Sequence, residues 1–263
     1  MRRSGQKLIM EWQEISNNWV WVPPRPIGVV HFLGGAFVAA APQVTYCRLL
    51  ESLGRQGYVI VATPFVNTFD HQAIADDVLN RFESTLERLQ ATVLRRKFFP
   101  IYGVGHSMGC KLHLLLGSLF AIERAGNILI SFNNYSARNS IPLAETLVTA
   151  LDMEFTPSPA ATNRLVAQRY QVRRNLLIQF TKDELDQTKG LQTLLNDRFP
   201  GMVVTQTLPG NHLTPLGPDV NWQAGSAFSP LDAIAQWMRK EVYRELHELE
   251  KAMLLWLNPC VPR

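Results

Sequence analysis

The sequence predicts an α/β fold, a mostly parallel sheet with helices on both faces. Three observations carry this. Short strand-like runs at 27–32, 58–63, 128–132 and 176–180 alternate with helical patterns. The runs are apolar at nearly every position instead of every second one, which suits strands buried on both faces by their own crossover helices. Finally, 263 residues with 46% hydrophobic and 18% charged content can bury one substantial core.

The elements follow in order. Residues 10–22 alternate loosely around Ser16-Asn17-Asn18, the pattern of a β-hairpin at a sheet edge. Prolines 23, 24 and 26 then interrupt the chain, and the strand 27–32 runs into Leu33-Gly34-Gly35-Ala36-Phe37. A helix is expected over 43–56, with Leu49, Leu50 and Leu53 on one face and Gly57 closing it. Strand 58–63 stops at Pro64, and 70–93 reads as a long helix. An elbow strand, a helix over 108–123 and the strand 128–132 come next. Residues 137–172 break the rhythm: Pro142, Pro157 and Pro159 divide them into helical pieces at 143–153 and 162–170, expected to form a small cap insertion. Strand 176–180, a helix over 188–198, strand 202–208 and an amphipathic helix over 230–257 complete one domain, 10–263. Residues 1–9 differ in character and are expected to be an extension outside it, with Met10 as the start.

The chemistry concentrates at Gly105-His106-Ser107-Met108-Gly109, set between an apolar run and a helical pattern. Gly-x-Ser-x-Gly between strand and helix is a nucleophile elbow. The serine takes a strained conformation there, and side chains two positions either side would collide with neighbouring backbone. The turn lifts the hydroxyl clear of the sheet and aims helix N–H groups at any oxyanion formed beside it.

A serine hydroxyl needs a base, and the base needs an orienting acid. Both belong in loops after later strands, because a parallel sheet gathers its strand ends on one edge. Of the histidines at 31, 71, 106, 113, 212 and 247, His212 follows the last strand in the loop Leu208-Pro209-Gly210-Asn211-His212-Leu213-Thr214-Pro215. The acid is expected in Thr181-Lys182-Asp183-Glu184-Leu185-Asp186, where the spacing from the strand selects Asp183 and leaves Asp186 to cap the next helix or to replace it. For the oxyanion hole, the N–H of Met108 pairs with that of Gly35 or Ala36. Asn133, Asn134 and Tyr135, at the end of strand 128–132, are expected either to line the substrate pocket or to tie down the cap's first turn.

Composition excludes other classes. The net charge of +4 has no long basic stripe interleaved with aromatics, so no nucleic-acid partner is expected. Cys47, Cys110 and Cys260 are scattered, without the spacing of a disulfide framework or a metal site. No cofactor is called for. No run reaches the length of a transmembrane span, while peripheral contact with an anionic membrane surface stays open.

Four phrases together resemble one family: His31-Phe32-Leu33-Gly34-Gly35-Ala36-Phe37, the elbow, Ser131-Phe132-Asn133-Asn134-Tyr135-Ser136, and Gly210-Asn211-His212-Leu213-Thr214-Pro215. They resemble the α/β-hydrolase-like proteins grouped as domain of unknown function 1350, of cyanobacteria and plastids. The resemblance runs from about Trp12 past Pro215. It implies an α/β-hydrolase fold, a Ser-His-acid site and a photosynthetic lineage, so that the cytoplasmic setting expected from the scattered cysteines becomes a cyanobacterial cytosol or plastid stroma. It brings no substrate.

Two functions from different classes are weighed. The first is a serine hydrolase that cleaves a carboxylic ester or thioester, with a lipid-like acyl group, through an acyl-enzyme. The second is a non-catalytic binding or assembly factor on a hydrolase scaffold.

Overall fold

The computed structural model describes residues 11–95, 98–137, 154–217 and 240–258. The chain enters through a hairpin, β1 (Gln13–Ile15) and β2 (Asn18–Trp21), whose two turn residues Ser16 and Asn17 both have positive φ. That turn matches the right-handed strand twist, as expected for a two-residue loop. The strands β3 (Gly28–Leu33), β4 (Tyr58–Ala62), β5 (Ile101–His106), β6 (Gly126–Ile130), β7 (Asn175–Phe180) and β8 (Val203–Leu208) follow. They form one eight-stranded sheet in the order β1-β2-β4-β3-β5-β6-β7-β8. From β4 to β8 every neighbouring pair is parallel, and the hairpin joins β4 antiparallel at one edge.

Both faces are covered. On one, α2 (Cys47–Arg55) and α7 (Lys240–Leu257) press Leu49, Leu50, Leu53, Leu249 and Met253 onto Val30, Ile60, Val104 and Ile128. On the other lie α3 (His71–Leu89), α4 (Met108–Leu119), α5 (Pro159–Arg169) and α6 (Thr188–Arg198), over Val29, Val61, Leu129 and Leu177. Alternate positions of each strand therefore serve different cores, which is why the strands read as unbroken apolar runs.

Local chemistry adjusts several expected boundaries. The helix expected over 43–56 breaks at Tyr46 into α1 (Pro42–Thr45) and α2, and the Tyr46 ring is fully buried toward the sheet. Asp70 caps α3 by accepting the Ala73 N–H, so the helix proper begins one residue later than expected. It passes into a π-helical turn, Gln90–Leu94, that ends on Arg95 in the left-handed region. α4 ends at Leu119, short of the expected 123, because Phe120 turns extended toward β6. Strand β6 starts two residues early at Gly126, where a Cβ would meet Arg174 O and Trp256, and stops at Ser131, whose φ is +52°.

Of the expected insertion 137–172, the described part contains α5, which starts three residues before and ends one residue before the piece expected over 162–170. It packs in one layer with α4 and α6 and lies between β6 and β7 along the chain. The piece expected over 143–153 lies outside the described residues. So do residues 1–9, Met10, Cys260 and the expected start of the last helix near 230.

Candidate functional site

Five adjacent parallel strands end at one edge of the sheet, and each is followed by a residue expected to be functional. Gly35 and Ala36 follow β3, Ser107 follows β5, Asn133 follows β6, Asp183 follows β7 and His212 follows β8.

At the elbow, Ser107 has φ +55° and ψ −118°, outside the regions where side chains rest comfortably. Its N–H is anchored to Ile130 O at 2.9 Å. The flanking glycines are enforced by contact. A Cβ on Gly105 would lie 2.6 Å from Cys110 N, and one on Gly109 would lie 2.0 Å from Leu33 O.

Three side chains converge here from positions 107, 183 and 212. Ser107 Oγ lies 3.0 Å from His212 Nε2, and His212 Nδ1 lies 2.9 Å from Asp183 Oδ2 and 3.1 Å from Oδ1. A carboxylate accepts, so Nδ1 carries the proton and Nε2 accepts from the serine hydroxyl. Asn133 Nδ2 donates to the same Oγ at 3.0 Å. Burial pushes the Asp183 carboxyl up. The His212 hydrogen bonds and charge, the neighbouring Ser131 hydroxyl and the Leu185 N–H outweigh that and hold it below the usual carboxylate range. Asp186, the other acid weighed, accepts the Thr188 N–H at 2.7 Å and so sits at the start of α6. Its carboxyl is raised by burial.

The loops carrying these groups are tied together. Lys182 N–H donates to Gly210 O at 2.9 Å, and Thr181 N–H to Leu208 O at 3.0 Å. Gly210 has φ +129°, and a Cβ there would lie 2.4 Å from Thr214 Oγ1, the atom that accepts the Asn211 N–H.

The two N–H groups weighed in the expected oxyanion loop differ in their surroundings. Gly35 N–H donates to Tyr46 Oη at 2.8 Å and is thereby engaged. Ala36 N–H has no hydrogen-bond partner among the described residues, nor has Met108 N–H one that its place at the start of α4 could supply. The loop passes close to the serine, since a Cβ at position 35 would stand 3.3 Å from His106 Nδ1 and 3.4 Å from Ser107 Cβ.

Sequence reasoning missed the network behind the loop. His106 Nε2 is 2.9 Å from the His212 carbonyl, and its Nδ1 is 2.8 Å from Tyr46 Oη. A carbonyl only accepts, so Nε2 carries the proton and Nδ1 receives the Tyr46 hydroxyl. Burial first, then the charge of His212, lowers His106 to about 3, keeping the imidazole neutral. Burial likewise pushes the Tyr46 phenol up.

Beside Ser107 opens a cavity of about 280 Å³, bordered by Ala36, Met108, Asn133, Tyr135, Leu213 and Leu216 among others. Asn134 also borders it, but its N–H and side-chain N–H groups are spent on Gln187 Oε1, Pro159 O and Asn163 Oδ1. Of the two roles weighed, Asn134 ties down backbone, while Asn133 meets the serine. Among the described residues no cluster of three or more His, Cys, Asp or Glu side chains has the arrangement of a metal site. No described helix is long and apolar enough to cross a membrane.

Comparison with solved structures gives the fold its name. A soluble variant of monoglyceride lipase from Saccharomyces cerevisiae, solved with a substrate analogue, matches at TM-score 0.63 and 12% identity, over 97% of this chain and 96% of that one. Inhibited esterase B from Lactobacillus rhamnosis matches at 0.61 and 13%, over 95% and 88%. A thermostable carboxyl esterase from Bacillus coagulans, in complex with glycerol, matches at 0.56 and 12%, over 95% and 99%. At these identities the likeness is one of fold, the α/β-hydrolase fold. No curated protein matches at a significant level. The model of the family described as "Protein of unknown function (DUF1350)" matches residues 11–259, and the chain belongs to that family.

Proposed function

We propose that the protein is a serine hydrolase of carboxylic esters or thioesters that works through an acyl-enzyme. The observation that carries this reading is the unbroken line from Ser107 Oγ through His212 to Asp183, at 3.0 and 2.9 Å. These are distances at which a proton passes along a hydrogen bond.

In the first step His212 Nε2 takes the Ser107 proton as Oγ bonds to the acyl carbon. Asp183 holds the ring in the tautomer with Nδ1 protonated and stabilises the imidazolium that forms. The carbonyl oxygen becomes an oxyanion, and the N–H groups of Met108 and Ala36 are the donors suited to receive it. His212 then gives its proton to the departing alcohol or thiol. Water, deprotonated by the same imidazole, attacks the acyl-serine and restores the hydroxyl. Asn133 keeps Oγ oriented until attack, when its amide is released.

The cavity supports a partly apolar substrate, since Phe37, Val38, Met108, Leu185, Leu213 and Leu216 border it. The ester-cleaving names of the structural neighbours are consistent with this reading. Steady-state hydrolysis of p-nitrophenyl esters of increasing chain length tests it. Turnover by the wild type and its loss in Ser107→Ala are expected. A folded wild type inert toward both esters and thioesters contradicts it.

A further inference from the structure

One end of the cavity is unlike the rest. Lys111 lies one helical turn after Ser107, on the order of 6 Å further along α4. It borders the cavity although the residue is only 2% exposed. Its ammonium donates to Pro157 O at 3.2 Å and stands 5.5 Å from the Phe155 ring. None of the ion pairs among the described residues includes it. Glu154, whose charge reaches it, spends Oε1 on the N–H groups of Ala137 and Phe155.

His71 stacks on Phe155 at 4.2 Å between ring centres and borders the same space. It is 3% exposed, and neither ring nitrogen has a partner among the described residues. Asn67 Oδ1 and Asn134 Oδ1, on the same lining, are also buried without partners among the described residues. Buried polar atoms are nearly always satisfied, and a buried ammonium with one carbonyl acceptor keeps two protons to donate. So many unpaired groups around one opening describe a place for a polar ligand.

Resting on the hydrolase reading for its substrate, we propose that this end of the cavity binds an anionic group of the ester, a carboxylate or a phosphate. Lys111 supplies the charge and the His71 ring an N–H, while Asn134 Oδ1 accepts from a hydroxyl or water beside the anion. The substrate class is therefore an ester or thioester that is apolar at one end and anionic at the other.

Two ester pairs test it. Mono-p-nitrophenyl glutarate against p-nitrophenyl butyrate puts the charge on the acyl side, and 4-acetoxybenzoate against phenyl acetate puts it on the alcohol side. In the wild type at least one pair favours the anionic ester. Lys111→Met lowers that anionic-to-neutral ratio of kcat/KM by about tenfold or more, the worth of one hydrogen bond to a charged group. Lys111→Arg restores part of it. Calorimetric binding of methyl hydrogen glutarate and glycerol phosphate to Ser107→Ala, with and without Lys111→Met, reads the site without turnover. Binding lost with Lys111→Met supports the proposal even if no ester is cleaved, a result that would sink only the hydrolase reading. Ester turnover indifferent to charge in both pairs, or anion binding indifferent to Lys111, overturns it.

Discussion

The imidazole of His106 donates from Nε2 to the backbone carbonyl of His212 at 2.9 Å, so the residue before the elbow serine holds the loop that carries the proposed base. Tyr46 extends this contact to the loop after β3, accepting from Gly35 N–H and donating to His106 Nδ1, both at 2.8 Å. One hydrogen-bonded chain thus spans three loops that differ in sequence position by more than 150 residues. Tyr46→Phe removes its middle link and strands the Gly35 N–H. A stability loss of about 1–3 kcal/mol follows from one buried unsatisfied donor, read as a lower urea midpoint at constant slope. If the chain positions the site, kcat also falls while KM holds. A purely structural tyrosine lowers stability and leaves kcat alone.

Asp183 is the carboxylate that meets His212, and Asp186 instead accepts from Thr188 N–H. Asp183→Asn keeps the shape but reverses the hydrogen bond, favouring the tautomer with the wrong nitrogen protonated. A fall in kcat of about 10⁴-fold with an unchanged melting profile is expected. Asp186→Asn is expected to cost stability at the start of α6 and to spare turnover. The reverse pattern assigns the acid to position 186.

Gly109 has no room for a side chain, because a Cβ there would approach Leu33 O to 2.0 Å. Leu33 O is a backbone atom and a Cβ is fixed in direction by its own backbone, so neither can swing aside. Gly109→Ala is expected to cost more than about 4 kcal/mol, among the severe single substitutions. Soluble yield and thermal unfolding measure it. A near-native melting temperature contradicts the crowding argument.

Stability should decline in mild acid. His71, His106 and His113 are each lowered to about 3, with burial the largest cause, and buried His31 lies well below its usual value. An unfolded histidine takes up its proton near 6.5, so below that pH the unfolded state binds more protons than the folded one. Stability is full above about pH 6.5 and is lost progressively as pH falls from there toward about 3. Urea midpoints between pH 7 and 4 read the effect. A flat profile means that these rings are protonated in the folded chain.

Much of this was legible in the sequence, and the rest has definite physical reasons for being hidden. The order of strands and helices followed from apolar periodicity. The positions of Ser107, Asp183 and His212 followed because each sits a residue or a few past a strand end, where a parallel sheet must gather them. Tyr46 gave no signal, since a tyrosine inside an apolar helical pattern reads as core. Only the tertiary contact reveals its hydroxyl as a link and removes Gly35 from the free donors. Lys111 was equally silent. A lysine on a helix normally reads as solvated, and here α4 is buried nearly all round, between the sheet and the helices α3 and α5. His71 lies in the expected helix 70–93 and gave no sign that it would border the cavity from the first position of α3. Within the expected insertion, the described helix α5 lies between β6 and β7, which are adjacent and parallel and need a crossover.

The central claim is that Ser107 is a nucleophile activated by His212. Intact-mass and peptide analysis after treatment with a fluorophosphonate test it most directly. A single adduct on the peptide containing Ser107 is predicted, formed quickly by the wild type, slowly by His212→Ala and not at all by Ser107→Ala. A folded wild type that stays unmodified, or one modified equally fast without His212, contradicts the account.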